Sequence, residues 1–307
     1  MKGMDHKGDS QKDTQLSSQP DAYPIAKRKH LDVLPDIPTE LKPNDLYYSM
    51  KRPERGLAVI FNHEFYDEID GEKPENRHGT NADVENLNIT LSNLGFVVDV
   101  QHNLTCAEIL GHVGQISKRD ELRDHDCFAV FVLSHGDEQE FVYARDRAYY
   151  IKLLTEPFIG KNCLQLANKP KLFFIQACKG IRLQSKINFR TMADSGKMNG
   201  AGNSKTVYSI PADSDILISY ATLEGYIALR DPTWGTPFIM ALCDELNNNG
   251  TTLDLLQILI RVHHRLATST YVLQEKNTLV KVQPSFLCYL NRFVRFDTPT
   301  LFKSQTQ

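Results

Sequence analysis

No apolar run in this chain is long enough to cross a bilayer. The longest clean one, Cys127 to Leu133, has seven residues, where a spanning helix needs about 20. The first residues are polar and lysine-containing and lack the apolar stretch of a secretory signal. Without secretion the sequons at Asn88, Asn103 and Asn249 carry no information. Excess positive charge is also missing. A net charge of −3 gives no electrostatic ground for nucleic acid or an anionic membrane as the main partner. Paired cysteine spacings are absent as well: Cys106, Cys127, Cys163, Cys178, Cys243 and Cys288 are scattered with no C-x-x-C. That argues against a zinc site or a disulfide framework and for reduced thiols. Gly200-x-Gly202 has no preceding strand and the wrong spacing for a phosphate loop. The expectation is a soluble cytoplasmic protein with no metal and no cofactor.

What is present is an ordinary globular composition, 41% hydrophobic and 24% charged over 307 residues, enough for one large core or two modest ones. Residues 1–45 are rich in Ser, Gln, Asp, Lys and Pro and read as a leader unable to bury enough surface to fold. Lys27-Arg28-Lys29-His30 within it reads as a solvated charge run rather than an import signal. Apolar runs then predict buried strands at Gly56–Asn62, Phe96–Val100, Cys127–Leu133, Leu172–Ile175 and Asp215–Ala221. A short edge strand is predicted at Glu140–Ala144 and a last strand over Pro284–Phe296. Helical spacing falls at Asp83–Leu94, stopped by Gly95, and from the Thr105 cap to Ile116. It falls again at Phe238–Leu246 and Leu253–Leu266. Strands alternating with helices predict an α/β fold, a mainly parallel sheet covered on both faces. Residues 181–205, rich in Gly, Ser, Asn and Lys, read as an exposed linker open to proteolysis.

Ligands of such sheets sit at the carboxyl ends of the strands, and His135 and Cys178 both fall there. A thiol at the end of a core strand, flanked by Gln176 and Gly180, is a nucleophile held on a rigid element. Its ordinary pKa of about 8.5 leaves little thiolate at neutral pH, so it needs a base. His135, 43 residues earlier, can take that proton and return it to a leaving amine. Gly136 leaves room for a substrate backbone, and its N–H with that of Cys178 can stabilise an oxyanion.

Gln176-Ala177-Cys178-Lys179-Gly180, with Ser134-His135-Gly136 and Arg77-His78-Gly79-Thr80 before it, resembles the caspases. The resemblance runs from about Tyr48 to Phe296, and the order of the three motifs is specific. It implies the caspase-like fold, its central sheet extended across a two-fold dimer interface, and a cysteine endopeptidase that cuts after aspartate. Cys178 would be the nucleophile, His135 the general acid and base, and Gly136 a donor to the oxyanion. Arg77, Gln176 and Arg230 would hold the P1 aspartate. Two guanidiniums and an amide suit one carboxylate. Ser134, Ile227, Ala228 and Leu229 would line other subsites.

The resemblance further implies an effector type active in apoptosis, with a large subunit over 46–194 and a small one over 195–307. The cut would follow Asp194, with a second in the leader after Asp21 or Asp36. The partners would be protein substrates, an upstream activating protease and inhibitor-of-apoptosis proteins, and the assembly a homodimer of processed heterodimers paired through Ser285–Phe296. Three departures stand out. Lys179 replaces an Arg or Gln and is expected to be tolerated. Ile227, Ala228 and Leu229 stand where an aromatic, a Ser and a Trp are usual, and Pro237 where a second Trp is, which leaves the P4 preference open. The alternative is a non-catalytic homologue that regulates a true protease by dimerising with it, although such proteins usually lose a Cys, His or Arg that this chain keeps.

Overall fold

In a computed structural model, residues 39, 41–42, 44–52, 54–184, 214–273 and 278–297 are described, all within one compact unit, Ile37–Gln307. Asp21, Asp36 and Asp194, and nearly all of the 181–205 linker, lie outside them. Five parallel strands form the centre: β1 (Gly56–Asn62), β2 (Phe96–His102), β3 (Cys127–Leu133), β6 (Lys171–Gln176) and β7 (Ile216–Tyr220). With β10 (Ser285–Cys288), antiparallel to β7, the spatial order is β10-β7-β6-β3-β1-β2. Two ribbons stand apart, β4 (Phe141–Tyr143) with β5 (Ala148–Tyr150) and β8 (Tyr271–Leu273) with β9 (Thr278–Val280).

The central strands are apolar on both faces because both faces are covered. Ala58, Ile60, Ala129, Phe131, Leu172 and Phe174 enter the core under α1 (Thr80–Asn93), α4 (Pro237–Asn249) and α5 (Leu255–Thr268). Val59, Phe61, Phe128, Val130, Phe173 and Ile175 enter the core on the other side, with α2 (Cys106–Ile116) and α3 (Lys152–Thr155). Phe131 and Phe174 stack across β3 and β6, 4.7 Å between centroids. Each such fully buried aromatic contributes about 1.5–3 kcal/mol.

The helix termini follow local chemistry. Thr105 and Glu108 form a capping box on α2, and Asp254 and Gln257 another on α5. Gly95, at φ 87°, takes the left-handed position after α1. Helix α1 begins at Thr80, three residues earlier than its apolar spacing indicates. Gly79 at φ 85° precedes it, and a Cβ there would overlap the Pro232 carbonyl.

Two expectations need correction. The Glu140–Ala144 edge strand is β4 of a separate ribbon and not part of the main sheet. The last strand ends at Cys288, not Phe296. Tyr289 still bonds the Ile216 and Asp215 backbone; after it the chain leaves β7, and Val294 and Phe296 turn into the core, so their alternation reports burial without a ladder. The β8–β9 ribbon has no counterpart in the sequence reading.

Candidate active site

Between β1 and β3 the strand order reverses: β2 lies to one side of β1, while β3, β6 and β7 lie to the other. A crevice opens at the carboxyl ends of strands at such a point. Asn62, Leu133 and Gln176 are in register there, and the segments that follow carry the candidate residues.

His135 sits two residues past β3. Its Nε2 lies 2.7 Å from the Glu75 carbonyl. A carbonyl only accepts, so Nε2 carries the proton and Nδ1 is the basic nitrogen. The Tyr66 ring packs on the imidazole at 4.9 Å between centroids, and Tyr66 Oη accepts from His135 N–H. Ser134 was expected to line a subsite. It is instead buried, donating to the Tyr143 carbonyl at 2.5 Å and bonded to Tyr66 Oη, so it braces His135 from below. Burial lowers the His135 pKa, and the Arg77 and Arg230 charges push the same way against the Glu75 bond. The imidazole is therefore neutral at neutral pH. The acid limb of kcat/KM, which reports the free enzyme, should have its midpoint below the ordinary histidine value of 6.5. A pH–rate profile with a midpoint above 6.5 would contradict this placement.

Cys178 follows β6 by two residues and is half-buried. Burial pushes its thiol up, although the Ala228 N–H bond and the Arg77 and Arg230 charges oppose this. The resting group is a thiol. Ala228 N–H donates to Sγ at 3.3 Å, and Sγ lies 3.7 Å from the Ala228 carbonyl. Ala228, expected to wall a subsite, thus sits directly on Cys178 Sγ, and among the described residues no hydrogen bond joins Sγ to His135. The covering loop is tied down by neighbours of Cys178. Lys179 N–H donates to Tyr226 O, Arg182 N–H to Gly225 O and Ile227 N–H to Arg182 O. Ala228 and Leu229 also pack on the helix α1 side of the core.

Among the described residues, neither the Gly136 nor the Cys178 N–H donates to another protein group. A Cβ on Gly136 would overlap the Cys178 carbonyl oxygen. Only glycine lets the two backbones come this close.

Arg77 is 2% exposed. Its Nη1 donates to the His63 carbonyl at 3.0 Å and to Thr80 Oγ1 at 2.8 Å, so the end of β1 and the start of α1 fix it. Arg230 Nη1 donates to the His78 carbonyl. The two guanidiniums repel, and Arg77 is lowered by burial and by Arg230. Gln176 is buried, and its Oε1 has no partner among the described residues. Two like charges form a place for an anion, and of the Gln176 amide only the Nε2 N–H side can serve it, since Oε1 is an acceptor. Arg77 and Arg230 both act on Cys178 and His135, so the four side chains share one site.

Three supporting groups escaped the sequence reading. Glu75 contributes a main-chain carbonyl, which leaves no side-chain signal. Tyr66 acts across 69 residues on His135. Asp83, buried in α1, accepts from Thr236 N–H at 2.8 Å and faces both guanidiniums; burial pushes it up to about 6. Pro237 is the first residue of α4 behind the Thr236 cap, a role proline suits.

Residues 55–292 match a family model described as "Caspase domain". The chain is 42% identical over 220 residues to "Caspase-1" of Drosophila melanogaster, covering 72% of this chain and 65% of that protein. To "Caspase drICE" of the same organism it is 38% identical over 222 residues, covering 72% and 62%. The matched part is thus less than two thirds of either Drosophila protein. The crystal structure of Caspase-1 from Spodoptera frugiperda superposes with a TM-score of 0.76 at 35% identity, covering 86% of this chain and 98% of that one.

Proposed function

The chain belongs to the caspase family, and on that premise we propose that it is a cysteine endopeptidase that cuts protein substrates after aspartate, an effector of apoptosis activated by cleavage of its own linker. The observation that carries this reading is the shared electrostatics of the site, in which the two guanidiniums suited to a P1 carboxylate also bear on Cys178 and His135.

The aspartate is held by Arg77, Arg230 and Gln176, and its carbonyl oxygen lies toward the N–H groups of Gly136 and Cys178. His135 Nδ1 takes the Sγ proton as sulfur attacks the carbonyl carbon. The tetrahedral oxyanion collapses to a thioester, and the amine leaves with the proton from His135. Water, deprotonated by the same nitrogen, then hydrolyses the thioester and returns Cys178 to a thiol.

Activation by cleavage is supported by the uncut chain, in which Ala228 covers Sγ and its loop is tied to residues 179–182. Cutting after Asp194 separates a large subunit carrying His135 and Cys178 from a small one carrying Arg230, and Asp21 or Asp36 offers a second cut. Intact-mass analysis of the active preparation should show a chain beginning at Ser195, while the Cys178→Ala protein made alone stays whole. An active wild type with no terminus at Ser195 would overturn this step. Among the described residues β10 is an edge strand, with Leu287 exposed on it and Tyr289 exposed just beyond its end. A second copy pairing there would continue the sheet and give a homodimer of processed heterodimers. An upstream protease and inhibitor-of-apoptosis proteins complete the set of partners.

A further inference from the structure

The turn that follows Gly136 has an unusual backbone. Gln139 and Glu140 are both left-handed, φ 58° and 65°, and Phe141 N–H reaches back to the Glu138 carbonyl. Two left-handed central residues make the tight hairpin turn that Asn and Gly favour. Gln and Glu are strained there and persist only when the surroundings hold them. Each is held from outside the turn. Gln139 N–H donates to Glu224 Oε1 at 2.9 Å, and Glu140 Oε1 accepts from Tyr220 Oη at 2.9 Å.

These two anchors meet on Lys179, the residue after the nucleophile. Lys179 Nζ lies 2.9 Å from Glu224 Oε2 and 3.8 Å from the centroid of the Tyr220 ring. The contacts therefore close on themselves, from Lys179 to Glu224, to the Gln139–Glu140 turn, to Tyr220 and back to Lys179. Lys179 and Tyr220 are buried, so their part of the circuit is shielded from solvent. Partial burial works to raise the Glu224 carboxyl, but the Lys179 and Gln139 bonds and the Lys179 charge outweigh it and hold it below the ordinary range. The Glu224 carboxylate is therefore ionised at neutral pH.

We propose that Lys179, Glu224, Glu140 and Tyr220 form a closed ring that keeps the Gly136 N–H in register with that of Cys178, with Glu224 as its positioning residue. The ring touches neither substrate nor the reacting atoms. It fixes the two segments whose backbones carry the oxyanion donors, and the inference rests on the proposed acyl-transfer reading of the site. The lysine at 179 is thus more than a tolerated exchange, because its positive charge serves Glu224 and the Tyr220 face together.

The test compares wild type, Glu224→Ala, Lys179→Met, the double variant and Lys179→Arg, all as processed protein. One readout is kcat and KM on a P1-aspartate tetrapeptide. The other is alkylation of Cys178 by iodoacetamide, a displacement at saturated carbon that needs the sulfur but no oxyanion donor. Glu224→Ala should lower kcat about tenfold, less than the 10²–10³ lost when an oxyanion donor is deleted outright. KM and the alkylation rate should stay within about twofold. The double variant should be no worse than the poorer single one, the mark of one coupled unit, and Lys179→Arg should recover most of kcat. Unchanged kcat in Glu224→Ala, multiplying losses in the double variant, or a parallel change in alkylation would overturn the ring. A wild type that does not turn over the peptide overturns the functional reading itself, and the ring's role with it.

Discussion

Replacing Cys178 with alanine should reduce kcat/KM on a P1-aspartate peptide by about 10⁴–10⁶-fold, the scale on which removal of a nucleophile acts in comparable hydrolases. The alternatives within the chain are poor. Cys106, Cys127, Cys163 and Cys243 are buried and burial raises each thiol, Cys243 to about 12. Cys288 is exposed but lies on β10, the antiparallel edge. Only Cys178 follows the carboxyl end of a parallel strand, beside two spare N–H donors. Losing a half-buried thiol leaves a small cavity, so the thermal unfolding midpoint should stay within a few degrees of wild type. Progress curves on purified protein, read with a melting curve, separate lost chemistry from lost fold. Activity within tenfold of wild type would remove Cys178 from the reaction.

Arg77→Lys is the second large effect, because a conservative exchange should behave as a deletion. Lysine keeps the charge but not the planar fork, and here the fork has two tasks. Nη1 is already committed to the His63 carbonyl and Thr80 Oγ1, which leaves the rest of the guanidinium for a substrate carboxylate. One ammonium cannot reach all of them. Breaking a buried, hydrogen-bonded charge pair costs about 2–5 kcal/mol, which is about 30- to 5,000-fold in kcat/KM. The loss should fall on aspartate peptides far more than on asparagine ones, so their ratio narrows. An unchanged ratio in Arg77→Lys would mean that the P1 carboxylate is read elsewhere. Arg230→Lys should narrow it less, since Arg230 is only half-buried and water already screens part of its charge.

The sheet could be read from the sequence because buried parallel strands must be apolar on both faces, as Cys127–Leu133 is at every position. The proposed pairing of His135 with Cys178 rests on strand ends and three short motifs. Other features were hidden for physical reasons. A main-chain carbonyl such as that of Glu75 has no residue signature. Val294 and Phe296 alternate like a strand because they are buried, and burial without a ladder writes the same pattern. Ser134 was assigned to a subsite by its place in a motif, yet its hydroxyl is spent on Tyr143 and Tyr66. The Lys179 circuit joins three segments brought together only by the fold, one with Gln139 and Glu140, one with Lys179 and one with Tyr220 and Glu224, so no local window contains it.

Selection of a P1 carboxylate by two arginines and a glutamine, beside a cysteine, is the core of the proposed reaction. It is tested most directly by matched tetrapeptides that differ only at P1, aspartate against asparagine, glutamate and lysine, hydrolysed by protein already cut after Asp194. Asparagine replaces one oxygen by an amide at equal size, and a site built for the carboxylate should reject it by about 10³-fold or more. Turnover confined to aspartate is the expected result. Asparagine or lysine peptides cleaved as well as aspartate would contradict the pocket, and no turnover of any peptide by the cleaved protein would make the chain a regulatory homologue instead of a protease.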